Sequence, residues 1–224
     1  MPELHVLRVF TGEGGTGGNP LGVFLDGGSV PAPQRQAVAA EIGFSETVFV
    51  DDRASASVGI FTPATELAFA GHPLVGTAWL LGRERQPVRV LRPPAGEVPT
   101  RAEGARTFVA GRPEWAPGYE WFELASPTDV EALEGAPEGH DMGGAYAWID
   151  ELHGELRARV FPSRIGVEED EATGAAAVRL GAVLRRDLLI RQGRGSMIEV
   201  RPRDGGWVEI GGRVALDDVR RFAV

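Results

Sequence analysis

The most continuous apolar stretch of the chain is Gly71-His-Pro-Leu-Val-Gly-Thr-Ala-Trp-Leu-Leu-Gly82, in which Leu74, Val75, Ala78, Trp79, Leu80 and Leu81 leave almost no polar face. A helix that is apolar all round belongs inside a domain. The pattern predicts a central helix over residues 72–82. Pro73 opens it, since a missing N–H costs nothing in the first turn and the ring presets the backbone angle. Upstream, strands are expected over residues 4–10 and 21–25, joined by a Gly-rich turn over 12–20. A short helix then starts at Pro31 and Pro33 and stops at Gly43. Residues 44–50 alternate as a strand should, so Glu46 shares a face with Phe44, Val48 and Val50, while Ser45 and Thr47 lie with Phe49. A further strand over 55–61 delivers the chain to the central helix.

After Gly82, short strands around 88–91 and near Val98 lie in a Pro- and Gly-rich setting, and a boundary is placed within 104–118. This gives an N-terminal half, 1–110, and a C-terminal half, 111–224. The second half repeats the plan: a hairpin of residues 146–149 and 155–161, an alanine-rich central helix over 171–186, then strands over 188–191, 197–201 and 207–210. Placing His72 on Asp170 superposes Gly76 on Gly174 and Ala78 on Ala176, with a strand ending in Phe-x-Pro or Phe-Pro before each, the mark of an internal duplication. Two α/β halves related by a pseudo-two-fold bring both helix N-termini to a shared cleft, the usual place for a small ligand. His72 and Asp170 are then expected to face one another across that ligand, with Glu46 close by.

These residue types fit proton transfer. A carboxylate on an apolar strand face is costly unless paired or protonated, and burial lifts its pKa toward the range where it gives and takes a proton near neutrality. An edge-strand glutamate reaching water is the alternative. A buried helix starting beside a histidine offers unpaired N–H donors and partial positive charge to a carboxylate or oxyanion. A core helix that happens to begin with histidine is the alternative there.

Composition removes several chemistries. The chain has no cysteine, hence no disulfide, thiolate nucleophile or paired-thiol racemisation. All 23 basic residues are arginine, so no lysine is present for a Schiff base, a covalently held pyridoxal phosphate or a phosphate loop. A net charge of −9 without a basic stripe argues against nucleic acid and anionic membranes as partners. No run approaches a membrane span, the start Met-Pro-Glu-Leu-His lacks the form of a signal peptide, and a cytoplasmic location is expected. Gly12, Gly14 and Gly17 have the spacing of a dinucleotide cradle, but a strand follows where that motif needs a helix, which makes them a hairpin loop. His5, His140 and His153 lack partners at metal-ligand spacing and read as structural or solvent-facing, with no metal expected. Trp115, Trp121, Trp148 and Trp207 read as packing residues. Arg191 and Arg194 flank Gln192-Gly193 and suit either a substrate carboxylate or surface ion pairs.

Taken together, Gly18-Asn-Pro20, Phe44-Ser-Glu-Thr-x-Phe49, Phe61-Thr-Pro63, Glu66-Leu67, Gly71-His-Pro-Leu-x-Gly-Thr-Ala78, Glu169-Asp-x-Ala-Thr-Gly174 and Gln192-Gly-x-Gly-Ser196 resemble the PhzF-like family, named for the phenazine biosynthesis isomerase. The resemblance covers nearly the whole chain. It implies the diaminopimelate epimerase-like α/β (α+β) fold, two pseudo-symmetric halves each with a curled β-sheet around a central helix, and a homodimer. It also implies a cofactor-free isomerase: the family's phenazine member moves a proton between carbons of trans-2,3-dihydro-3-hydroxyanthranilate. Carried over, it makes Glu46 the acid/base and His72 and Asp170 polar partners that hold a small carboxylated substrate and assist proton traffic. Ser45 and the backbone N–H groups of Gly71, Leu74, Gly174 and Ala175 become substrate contacts. Ala175 departs from the phenazine enzyme's serine, and the second half is short for the family. A non-catalytic small-molecule-binding or scaffold protein of the same fold is the competing class, and a two-thiol epimerase is excluded by the absence of cysteine.

Overall fold

The computed structural model describes residues 1–223. The chain opens with β1 (Glu3–Thr11), β2 (Asn19–Phe24), α1 (Arg35–Ile42), β3 (Glu46–Asp52), β4 (Ser57–Phe61) and the short β5 (Glu66–Leu67), which lead into α2 (Gly71–Arg83). Then follow β6 (Val90–Leu91), β7 (Val98–Glu103), β8 (Arg106–Gly111), β9 (Glu120–Glu123), α3 (Pro127–Glu131), β10 (Gly143–Asp150) and β11 (Glu155–Phe161). The chain ends with α4 (Gly174–Leu184), β12 (Leu188–Gln192), β13 (Ser196–Pro202) and β14 (Val208–Arg221). Among the described residues no helix is long and apolar enough to cross a membrane.

The strands run in the order β5-β4-β3-β2-β1-β14-β13-β12-β11-β10-β9, with β6, β7 and β8 added beside the start of β14. Most pairs are antiparallel; β2–β3, β9–β10 and β11–β12 are parallel. The parallel pairs β2–β3 and β11–β12 are bridged through α1 and α4, because a parallel connection needs a crossover. β14 joins the two curled sheets. Its first residues pair with β8 and β13, and from Arg213 onward it pairs with β1.

α2 is buried from Gly71 through Ala78 and again at Leu80 and Leu81, as its apolar sequence requires. Leu74, Val75, Leu80 and Leu81 share one core with Val48 and Val50 of β3 and with Val178 and Leu180 of α4. Phe49 turns to the other side of β3 and stacks on Phe24 in a smaller cluster, so Glu46 lies on the face that looks toward α2.

Three expectations need correction. The second central helix was expected over 171–186 but spans 174–184, because residues before it are held extended: the Asp170 N–H bonds the Val160 carbonyl at 3.0 Å, and Glu171 accepts from the Ser196 hydroxyl at 2.8 Å. The helices therefore begin at Gly71 and Gly174, which matches His72 to Ala175 rather than to Asp170. The last strand, expected over 207–210, continues to Arg221.

Candidate active site

Both central helices start at the same place. A Cβ added to Gly71 would lie 2.7 Å from the Cα of Gly174, so the two N-termini abut backbone to backbone, which only glycine allows. Neither helix has a side-chain cap: Ala70 has none to give, and the Thr173 hydroxyl donates to Asp170 instead. The first-turn N–H groups are thus left to a ligand, in the positive end of two helix dipoles.

Around these ends lies a narrow cleft lined by Ser45, Glu46, Gly71, His72, Asp170, Thr173, Gly174 and Ala175, and walled on its apolar side by Leu67, Phe69, Pro117, Tyr119, Ile165 and Val167. The candidate side chains thus converge, while Leu74, named for its backbone N–H, has its side chain in the hydrophobic core. The cavity measures about 30 Å³, room for roughly one or two waters. A larger ligand requires the walls to part.

Glu46 Oε2 lies 3.4 Å from His72 Nε2, and neither atom has a hydrogen-bond partner. Burial disfavours the charged form of each group. It pushes the Glu46 carboxyl up to about 7, against a smaller lowering by the Ser45 hydroxyl, and the His72 imidazole down to about 4, against the nearby Asp170 charge. The pair is therefore not an ion pair at neutral pH. His72 is neutral and Glu46 is poised between its acid and base forms.

Asp170 is held from both halves. Asn19 Nδ2 donates to its Oδ1 at 2.7 Å and to the Ala172 carbonyl at 2.9 Å, while the Thr173 hydroxyl donates to Oδ2 at 2.7 Å. Ser45 Oγ donates to Asn19 Oδ1 at 3.2 Å, which ties β3 into the same network. Gln192 Nε2 donates to the Asp170 carbonyl at 2.8 Å. Burial and then the neighbouring Glu46 raise the Asp170 carboxyl, and the donors from Thr173 and Asn19 oppose them.

The Gly-rich loop between β1 and β2 is a hairpin turn, as its sequence indicates, and it docks on the other half: the Gly18 N–H donates to Ser196 Oγ at 2.8 Å. The remaining candidates lie elsewhere. Arg191 pairs with Glu155 on the surface, His140 with Glu120 at 2.8 Å and His153 with Asp150 at 2.6 Å. His5 is buried on β1, between Val23 of β2 and Val219 of β14. Trp115 packs on Trp207, and Trp121 and Trp148 on Tyr146. Sequence reasoning missed Asn19, Thr173, Gln192 and Tyr119 as parts of the site. Asn19 and Gln192 stand inside motifs that were visible, whereas Tyr119 follows a segment read as a boundary and carries no local signal.

Comparison with known proteins gives the family and the fold. The family "Phenazine biosynthesis-like protein" matches residues 7–136. The trans-2,3-dihydro-3-hydroxyanthranilate isomerase of Pseudomonas aeruginosa is 31% identical over 216 residues, covering 79% of this chain and 78% of its own. Among solved structures, a PhzF-family phenazine biosynthesis protein from Bacillus anthracis superposes with a TM-score of 0.80 at 18% identity over 100% of this chain and 99% of its own. A probable proline racemase from Agrobacterium radiobacter K84 shares the fold with a TM-score of 0.66 at 12% identity, covering 100% of this chain and 93% of its own. The chain belongs to the phenazine biosynthesis-like family of PhzF-type isomerases.

Proposed function

We propose that the protein moves a proton between carbons of a small carboxylated metabolite without a cofactor, with Glu46 as the acid/base. The observation that carries this reading is the Glu46 carboxyl, whose Oε2 has no hydrogen-bond partner, 3.4 Å from a neutral His72 and poised at about 7, in a cleft where two uncapped helices begin. In this mechanism the substrate carboxylate or a developing oxyanion takes the free N–H groups of Gly71 and Leu74 and of Gly174 and Ala175. The Glu46 carboxylate accepts a proton from one carbon as that C–H bond breaks. The electron pair shifts through the substrate, and the Glu46 carboxyl returns the proton to a second carbon, so no electrons leave the substrate and the base is regenerated. His72 and Asp170 hold the substrate and pass protons. The trans-2,3-dihydro-3-hydroxyanthranilate isomerase relatives support a ring-bearing carboxylate as the first class to test.

Ala175, which brings no hydroxyl to the cleft, favours a second reading as a non-catalytic binder of such acids. Incubation with a panel of cyclic and linear carboxylic acids in heavy water separates the two. The isomerase reading expects loss of a carbon-bound proton signal with the wild type and a fall of about a thousandfold or more with Glu46→Gln. If acids bind both proteins equally and none exchanges, the binder reading holds and Glu46 has no catalytic part.

A further inference from the structure

The chain has two tyrosines, and their hydroxyls are treated differently. Tyr146 donates to Glu123 at 2.8 Å. Tyr119 is only 8% exposed as a residue, and its hydroxyl makes no hydrogen bond to protein among the described residues yet is not sealed from solvent; Asp170 and Glu46 lie near enough to act on it through their charges. Water can satisfy such a hydroxyl in the free protein, and a ligand that fills the cleft displaces that water and must replace its hydrogen bond. The backbone fixes where this one goes: the Tyr119 N–H closes a tight turn onto the Pro117 carbonyl at 2.9 Å, and the ring packs with Ala175 and Ala176 at the start of α4. There it forms part of the cleft wall that also holds Glu46, His72 and Asp170.

We propose that Tyr119 contacts the substrate, donating its hydroxyl hydrogen to an oxygen of the ligand, and that the site thereby selects acids that bring an acceptor to this wall. Burial, and next the charges of Asp170 and Glu46, raise the hydroxyl pKa well above its ordinary value, so it stays protonated and keeps a hydrogen to donate. A purely apolar ligand filling the cleft strands this donor, and a site built around a hydrogen bond rejects a ligand that lacks the matching group. Ala175 lines the same cleft against Tyr119, so a hydroxyl placed there offers a substitute donor. The inference uses the isomerase reading only for where the substrate lies.

The test is titration of 2-hydroxybutanoate and butanoate, followed by NMR, into the wild type, Tyr119→Phe and the double variant Tyr119→Phe/Ala175→Ser. Loss of a donor to a charged or strongly polar acceptor is expected to weaken binding about tenfold to a hundredfold in Tyr119→Phe, with part of the loss regained in the double variant. Weakening confined to 2-hydroxybutanoate places the contact on a second oxygen, and equal weakening of both acids places it on the carboxylate; either supports the proposal. Unchanged affinities in Tyr119→Phe, or a wild type that binds neither acid, overturn it. A structural role for the hydroxyl would lower the melting temperature and leave the affinities of the folded protein alone. Binding is read without turnover, so a wild type that binds these acids while none of the wider panel exchanges hydrogen ends the isomerase reading and leaves Tyr119 in place. Exchange that proceeds in Tyr119→Phe at unchanged affinity does the reverse.

Discussion

Burial acts on Glu46 and His72 in opposite directions, since it penalises whichever form carries charge: the carboxyl rises to about 7 and the imidazole falls to about 4. Each shift is also a statement about stability. For Glu46 the folded pKa exceeds the unfolded one, so its contribution is full below the unfolded value and is lost as pH rises through about 7. For His72 the folded pKa is the lower, so its contribution is present above the ordinary imidazole value and is lost as pH falls through about 4. Glu46→Gln removes the first dependence. Relative to that variant, the wild type is expected to lose about 2 kcal/mol of unfolding free energy between about pH 5.5 and about pH 8.5, read by urea denaturation. A difference that does not change with pH would show that Glu46 titrates normally. Glu46 was legible in the sequence because strand alternation alone places it among Phe44, Val48 and Val50. Tyr119 was not, because its place in the cleft depends on a turn after β8 and on where α4 begins, neither of which its neighbours encode.

The elements that carry the site are the first turns of α2 and α4, and their close approach rests on two glycines. A Cβ on Gly174 would meet the Gly71 Cα and the His72 N at 2.8 Å each. Alanine improves helix propensity by about 1 kcal/mol, but backbone atoms cannot yield as a flexible side chain can, and overpacking costs about 1–3 kcal/mol. The clash is expected to win. Gly174→Ala should destabilise by about 1–2 kcal/mol in chemical denaturation and lower exchange activity more than tenfold by moving the N–H groups apart; a more stable, fully active variant would refute the abutment. α2 was readable to within a residue at each end, because Pro73 and the apolar run after it are local signals. The start of α4 was not: the acidic run Glu168–Glu171 looks like a helix first turn, yet Asp170 and Glu171 spend their carboxylates on Asn19, Thr173 and Ser196. β14 misled differently. Gly211 and Gly212 look like a strand end, but they mark the crossing from one sheet to the other, and the charged stretch beyond pairs with β1 and meets Arg8 through Asp217 at 2.7 Å.

At the scale of the whole molecule, the halves are joined by β14 and by the Asn19 network, both long-range pairings that no local pattern announces. The duplication was visible, whereas its register was not, because the match of His72 to Asp170 follows composition and the abutment of Gly71 on Gly174 follows packing. Asn19 is 2% exposed and donates to Asp170 and to the Ala172 carbonyl. Asn19→Leu leaves both acceptors buried and unpaired and is expected to cost about 3 kcal/mol of stability, seen as a lower denaturation midpoint; a near-neutral effect would mean that the halves hold Asp170 without it. Everything in this arrangement bears on one group, the Glu46 carboxyl, largely buried between the halves with its pKa raised to about 7. The most direct test is the pH dependence of substrate hydrogen exchange, measured as kcat/KM in heavy and light water. The rate should rise about tenfold per pH unit and level off above about 7. A profile that stays flat from about pH 5 to about pH 9, or whose limb lies near the ordinary glutamate value, would contradict Glu46 as the base.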